Sequence, residues 1–157
     1  MQHYRAESYK ARSSIGYLIK RAHSLLIDQL EAAVAGSDIT ATQWVVLMHL
    51  RDGLAINASD LCAQLRHDSG ALTRVIDQLE ARGLVQRERS REDRREVQLR
   101  LTDAGIKTVA SLIPTVVDKF NFALRDFSRA EASELNRLLI KLITSLDSAS
   151  VEPGEAA

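Results

Sequence analysis

Apolar positions in this chain recur at helical spacing in several blocks separated by polar breaks, and one block changes to strict alternation. From about Ser8 to Val34, residues Ile15, Leu18, Ile19, Ala22, Leu26 and Leu30 fall three or four apart, which predicts an amphipathic helix. After Gly36, Thr40-Ala41-Thr42-Gln43 reads as a capping box, and Ile39 and Trp44 are placed for the accompanying hydrophobic staple. The helix it opens runs to about Arg51 and stops at Asp52-Gly53, where glycine can take the left-handed conformation. Its apolar content predicts deep burial. A short third helix is expected from the cap Asn57, with Asp60 near the positive end of its dipole and Ala58, Leu61, Cys62 and Leu65 on one inward face. His67-Asp68-Ser69 breaks the pattern. From Ser69 to Arg82, Leu72, Val75, Ile76 and Leu79 form one stripe closed by Gly83. The opposite face carries Ser69, Thr73, Arg74 and Asp77, with the small Gly70 and Ala71 near its start.

Beyond Leu84 the period is two: Val97, Leu99 and Leu101 alternate with Glu96, Gln98 and Arg100, as in a hairpin strand with one buried side. Residues 90–94 lack a tight-turn signal, so a longer exposed loop is expected there. Thr102 reads as the cap of a long helix with Val109, Leu112, Ile113, Val116, Val117, Phe120, Leu124 and Phe127 on its apolar side, kinked at Pro114. Ser128-Arg129-Ala130-Glu131 is a second capping box, opening a helix with Leu135, Leu138, Leu139, Leu142, Ile143 and Leu146 in register. The tail, residues 148–157, should fray. The fold class is therefore mainly α, with one short hairpin.

Composition narrows the function classes. The 157 residues suit one domain, and 45% hydrophobic with 27% charged residues is ordinary for a folded soluble protein. Seven Gly and two Pro favour long helices. No apolar run approaches a membrane span, and the start MQHYRAESYK lacks a secretory segment, so a cytoplasmic protein is expected. A single cysteine excludes an internal disulfide. His23, His49, His67 and Cys62 show neither an i, i+4 His pair nor Cys-x-x-Cys, so neither metal nor cofactor is expected. No nucleophile with a base, carboxylate pair or phosphate loop suggests an enzyme.

Formal net charge is zero, but phosphate contact depends on where charge lies. Between Arg82 and Arg100 stand seven of the sixteen arginines, no lysine and four acids, a net of plus three. A helix with a polar, small-residue N-terminal face fits the DNA major groove, where Ser and Thr can bond base edges and Arg can reach guanine or phosphate. Ser69, Gly70, Ala71, Thr73 and Arg74 meet that need. An arginine on a thin hairpin suits the minor groove, with Arg95 the leading candidate and Asp93 two residues before it. A charged hairpin alone reads equally well as solvated surface; the helix pair just upstream favours DNA. The groove of A-form RNA would not admit such a helix, and a purely structural helical module would need neither feature.

The run from Ile39 to Gly105 resembles the DNA-binding lobe of the MarR family of winged helix-turn-helix regulators. The resemblance rests on Thr73-Arg74, on the stretch from Asp77 to Val85, and on Asp93-Arg94-Arg95 followed by Leu101-Thr102-Asp103-Ala104-Gly105. It implies a winged helix-turn-helix lobe at 39–102, flanked by dimerisation helices at 8–35 and 103–147, within a single domain over 1–157. In the wing, Asp93 would orient Arg95 in the minor groove, and Arg94 would contact phosphate. A homodimer should read a pseudo-palindromic operator with half-sites about 10 bp apart. Such proteins commonly repress and are released by small aromatic or phenolic ligands; Tyr17, His23, Trp44, Met48 and His49 lie on the segments bordering that cleft, where each also reads as core packing. Redox-sensing relatives carry their cysteine in the first helix. Here Cys62 lies elsewhere and is read as structural, with a redox sensor as the alternative.

Overall fold

The computed structural model describes residues 3–66, 68–89 and 97–149. Six helices are present among them: α1 (Ile15–Val34), α2 (Ala41–Arg51), α3 (Ala58–Leu65), α4 (Ser69–Ala81), α5 (Asp103–Ala123) and α6 (Arg129–Ala149). Between α4 and α5 runs an antiparallel hairpin of β1 (Val85–Arg89) and β2 (Val97–Leu101). The chain divides into two compact units at residues 120 and 121.

The first unit holds the core. Buried side chains from α1 (Leu30, Ala33, Val34), α2 (Trp44, Val46, Leu47), α3 (Leu61), α4 (Leu72, Ile76, Leu79), the hairpin (Val85, Leu99) and α5 (Val109, Val116) form one cluster. The helix starts follow the sequence closely. Thr40 and Gln43 make the reciprocal capping box, at 3.2 and 3.1 Å, and Asn57 accepts from the Asp60 amide at 2.8 Å. Helix α1 begins seven residues later than the periodicity suggested, because Ser14 caps it and the Tyr4 hydroxyl accepts from the Ile15 amide at 2.9 Å. Before it the chain makes two short 3-10 turns, Ala6–Ser8 and Ala11–Ser13, where serines compete for the backbone.

Thr102 joins hairpin to helix. Its amide donates to the Leu84 carbonyl at 3.1 Å, its hydroxyl donates to the Gly83 carbonyl at 2.6 Å, and that hydroxyl accepts from the Gly105 amide at 3.1 Å. Gly105 lies so close to this seam that a Cβ there would sit 2.1 Å from the Leu84 oxygen. The glycine of the Leu-Thr-Asp-Ala-Gly run is thus required by close approach of two backbones. Helix α5 continues through Pro114 and ends at Ala123, short of Phe127.

In the second unit, Ser128 and Glu131 form the expected capping box: the Ser128 amide donates to Glu131 at 2.8 Å and the Glu131 amide donates to the Ser128 hydroxyl at 3.2 Å. The Ser128 amide, and the Ser128 hydroxyl at 2.7 Å, both donate to the Glu131 carboxylate and hold it below its ordinary pKa. Helix α6 buries no side chain among those described, and Leu135, Leu138, Leu139, Ile140, Ile143 and Leu146 are all exposed in one chain. No described helix is long and apolar enough to cross a membrane.

Candidate DNA interface

Helices α3 and α4 form the helix-turn-helix pair, and the turn between them is set by backbone conformation and a cap. Arg66 closes α3 in the left-handed region, with φ 48°. Asp68 then caps α4, its carboxylate accepting from the Ala71 amide at 3.0 Å. The sequence placed a break here but did not single out Asp68, although Asp is a preferred cap. Across from it, a Cβ on Gly70 would stand 3.2 Å from the Asp68 carboxylate, so a small residue fits beside the cap.

Helix α4 is two-faced. Leu72, Ile76 and Leu79 are buried, while Ser69, Gly70, Ala71, Thr73 and Arg74 are all exposed on one continuous N-terminal surface. The Thr73 hydroxyl donates to the Ser69 carbonyl at 2.7 Å, which leaves its oxygen free to accept and its methyl free to touch a thymine. Arg74 has no ion-pair partner among the described residues. At the far end, Arg82 donates to the Asp38 carbonyl and to Gln43, and Gln43 donates to Gln78 at 3.0 Å. That network ties α4 to the start of α2.

Asp77, read from sequence as part of the open polar face, is engaged by the wing. Arg87 on β1 pairs with Asp77 at 2.6 Å and with Glu80. These carboxylates raise the Arg87 pKa, the Asp77 hydrogen bond most of all. The residue missed from sequence is Arg87; its only signal was an arginine among many on a strand. In register, Val85 faces Leu101, Arg87 faces Leu99 and Arg89 faces Val97. The predicted buried side of β2 narrows: Leu99 is buried and Leu101 half-buried, but Val97 is 45% exposed because it overhangs the end of the core. A third segment supports the sheet, the Leu99 amide donating to the Ile56 carbonyl at 2.8 Å. Asp93, Arg94 and Arg95, the wing residues singled out from sequence, lie outside the described residues, as does His67.

The candidate ligand residues are scattered in environment. Tyr17 and His23 are exposed on α1, Trp44 is buried, and Met48 and His49 are half-buried on α2, with the His49 Nδ1 2.8 Å from the Val45 carbonyl. Cys62 packs against the core, as its inward face implied, without being fully enclosed. It is half-buried and lines a surface cavity of about 300 Å³ with Ala58, Ser59, Ser69, Leu72 and Thr73, because the short α3 leaves its outer edge uncovered beside α4.

The family model of the MarR family matches residues 39–97, the span of the helix pair and the first half of the hairpin. Similarity extends further in a curated relative, the HTH-type transcriptional regulator MgrA of Staphylococcus aureus, which is 34% identical over 110 residues, 70% of this chain and 74% of MgrA. The chain belongs to the MarR family. Among solved MarR-family structures, a mutant of MarR from E. coli complexed with operator DNA superposes with TM-score 0.72 at 30% identity, covering 82% of this chain and 92% of that one. BpsR of Bordetella bronchiseptica, whose DNA binding is regulated by 6-hydroxynicotinic acid, gives TM-score 0.74 at 28% identity, covering 85% and 96%. The MarR-family winged helix is thus the fold of this chain, and its work is that of a helix-turn-helix transcriptional regulator rather than an enzyme.

Proposed function

We propose that this regulator is a homodimeric repressor that reads a pseudo-palindromic operator and is released by a small aromatic or phenolic ligand. The observation that carries the DNA reading is the division of α4: its buried stripe fixes the helix on the lobe, and Ser69, Gly70, Ala71, Thr73 and Arg74 are presented outward together. In this reading that surface enters the major groove, while Arg95, oriented by Asp93, enters the minor groove and Arg94 meets phosphate. Residues 39–102 serve as the reading lobe, and the segments 8–35 and 103–147 as dimer arms.

Exposed apolar side chains on the arms support the dimer. Ile15, Leu18, Ile19 and Leu26 of α1, and Leu135, Leu138, Leu139, Ile143 and Leu146 of α6, keep helical spacing yet stay exposed among the described residues. Two-fold symmetry then sets half-sites about 10 bp apart. For the effector, the support is the chemistry of BpsR's ligand, a hydroxylated aromatic acid. Tyr17, His23, Met48 and His49 supply polar and soft groups, and Trp44 a wall. In this reading the protein works in the cytoplasm, where an operator is found.

The test is selection of binding sites from random duplex DNA, followed by titration of Arg95→Ala and Arg74→Ala on the selected site. A palindrome bound at least tenfold more weakly by each variant is expected. No enriched sequence, or affinity indifferent to both arginines, overturns the reading. Release of the bound operator by 6-hydroxynicotinic acid, weakened in His49→Ala, is expected for the effector step.

A further inference from the structure

The arginines of the lobe divide into engaged and unengaged. Arg51 pairs with Asp52, Arg82 with the Asp38 carbonyl and Gln43, Arg87 with Asp77 and Glu80, and Arg100 with Glu88 at 3.1 Å; Arg66 also has a partner. Arg74 and Arg89 have none among the described residues. Arg74 belongs to the recognition surface already described. Arg89 has no role in that reading.

Its position follows from the register of the hairpin. Strand side chains alternate, so Val85, Arg87 and Arg89 share one face of β1. Val85 is buried, and Arg87 is fixed to two carboxylates of α4, so this face is the one turned toward the recognition helix. Arg89 stands two residues, about 7 Å, further out along it. The partner of Arg89 in the ladder is the exposed Val97, which offers an apolar rest for the arginine stem and leaves the guanidinium to project. Gln86, Glu88, Gln98 and Arg100 occupy the other face and bond one another there, with Glu88 neutralised by Arg100.

We propose that Arg89 is a further DNA contact, a phosphate-binding residue on the α4 side of the wing strand, held at its height by the Arg87 clamp. The inference rests on the proposed docking of α4 in the major groove. Duplex DNA seated there passes its backbone between helix and wing, where an unpaired guanidinium on the helix-facing side gains a phosphate partner without giving up another carboxylate. Arg87 plays a different part: it offsets one of the two negative charges of Asp77 and Glu80, which would otherwise repel the same backbone, and pins the strand from which Arg89 extends.

Salt-dependent binding of the full-length protein to its selected operator tests this. Arg89→Ala should weaken binding by about fivefold at moderate salt and make the slope of log K against log salt shallower by about 0.9 for each Arg89 engaged. Sequence preference should not change, since phosphate contacts carry none. Arg89→Lys should restore the slope, and Arg100→Ala, on the other face, should leave it unchanged. In an Arg87→Met background, Arg89→Ala should have a smaller effect than in wild type. An unchanged slope in Arg89→Ala, with wild type binding its operator normally, overturns the contact; a wild type that selects no duplex sequence overturns the docking beneath it.

Discussion

Leu47 and Leu61 in the lobe are 0% exposed, whereas Leu138, Ile143 and Leu146 on α6 are 47% exposed or more. All these residues sit at helical spacing and are equally apolar, so the sequence pattern does not separate them. The lobe closes because α1 to α4, the hairpin and α5 each bury side chains in one common cluster. Along α6 the stripe is as regular, yet the described residues leave it exposed. A periodic apolar face therefore shows that something must bury it, not whether the same chain does so. In the proposed dimer this contrast separates the part that folds on itself from the part that a second copy would cover.

Charging the terminal stripe should produce the largest effect. Leu139→Asp puts a carboxylate where the proposed dimer buries a leucine, and sedimentation at micromolar concentration should show conversion from dimer to monomer, with operator affinity falling at least a hundredfold. An unaltered dimer would place the interface elsewhere. Next comes the seam between hairpin and α5: Gly105→Val has no room beside the Leu84 carbonyl and should cost more than about 3 kcal/mol, read by denaturant unfolding. In the lobe core, Leu47→Ala should cost about 3 kcal/mol while leaving the dimer intact, which distinguishes core from arm.

The smaller effects concern charge. Arg87→Met removes two ion pairs whose guanidinium side chain is 32% exposed, so its stability cost should be about 1 kcal/mol or less. Its operator affinity should fall about tenfold, and Asp77→Asn with Glu80→Gln in the same background should recover part of it. Smallest is a pH effect at the α6 cap. The folded state depresses the Glu131 pKa, so this carboxylate stabilises the cap above the ordinary carboxylate range, and the contribution fades as pH falls through the lowered value. Below about pH 5, Glu131→Gln should flatten the fall of the melting temperature on acidification.

Much of this was legible residue by residue. The capping boxes at Thr40 and Ser128, the left-handed Gly53 and Gly83, and the buried stripe of α4 are local rules that the structure repeats. The misreadings share a cause. Helix α1 starts late because distant Tyr4 folds back onto its first amide, and Val97 is exposed because the core ends before the strand does. Asp77 and Arg87 were each visible, but ten residues separate them.

What the amino-acid sequence determined by itself was periodicity, caps, turn glycines and the ordered motifs that mark the MarR family, because those depend on neighbours within a few residues. Only the tertiary structure decided which charges are spent on one another and which remain for DNA. Pairing is set by distance in space: Arg87 reaches α4 because the hairpin packs against it, and Arg89, two positions further, passes beyond both Asp77 and Glu80.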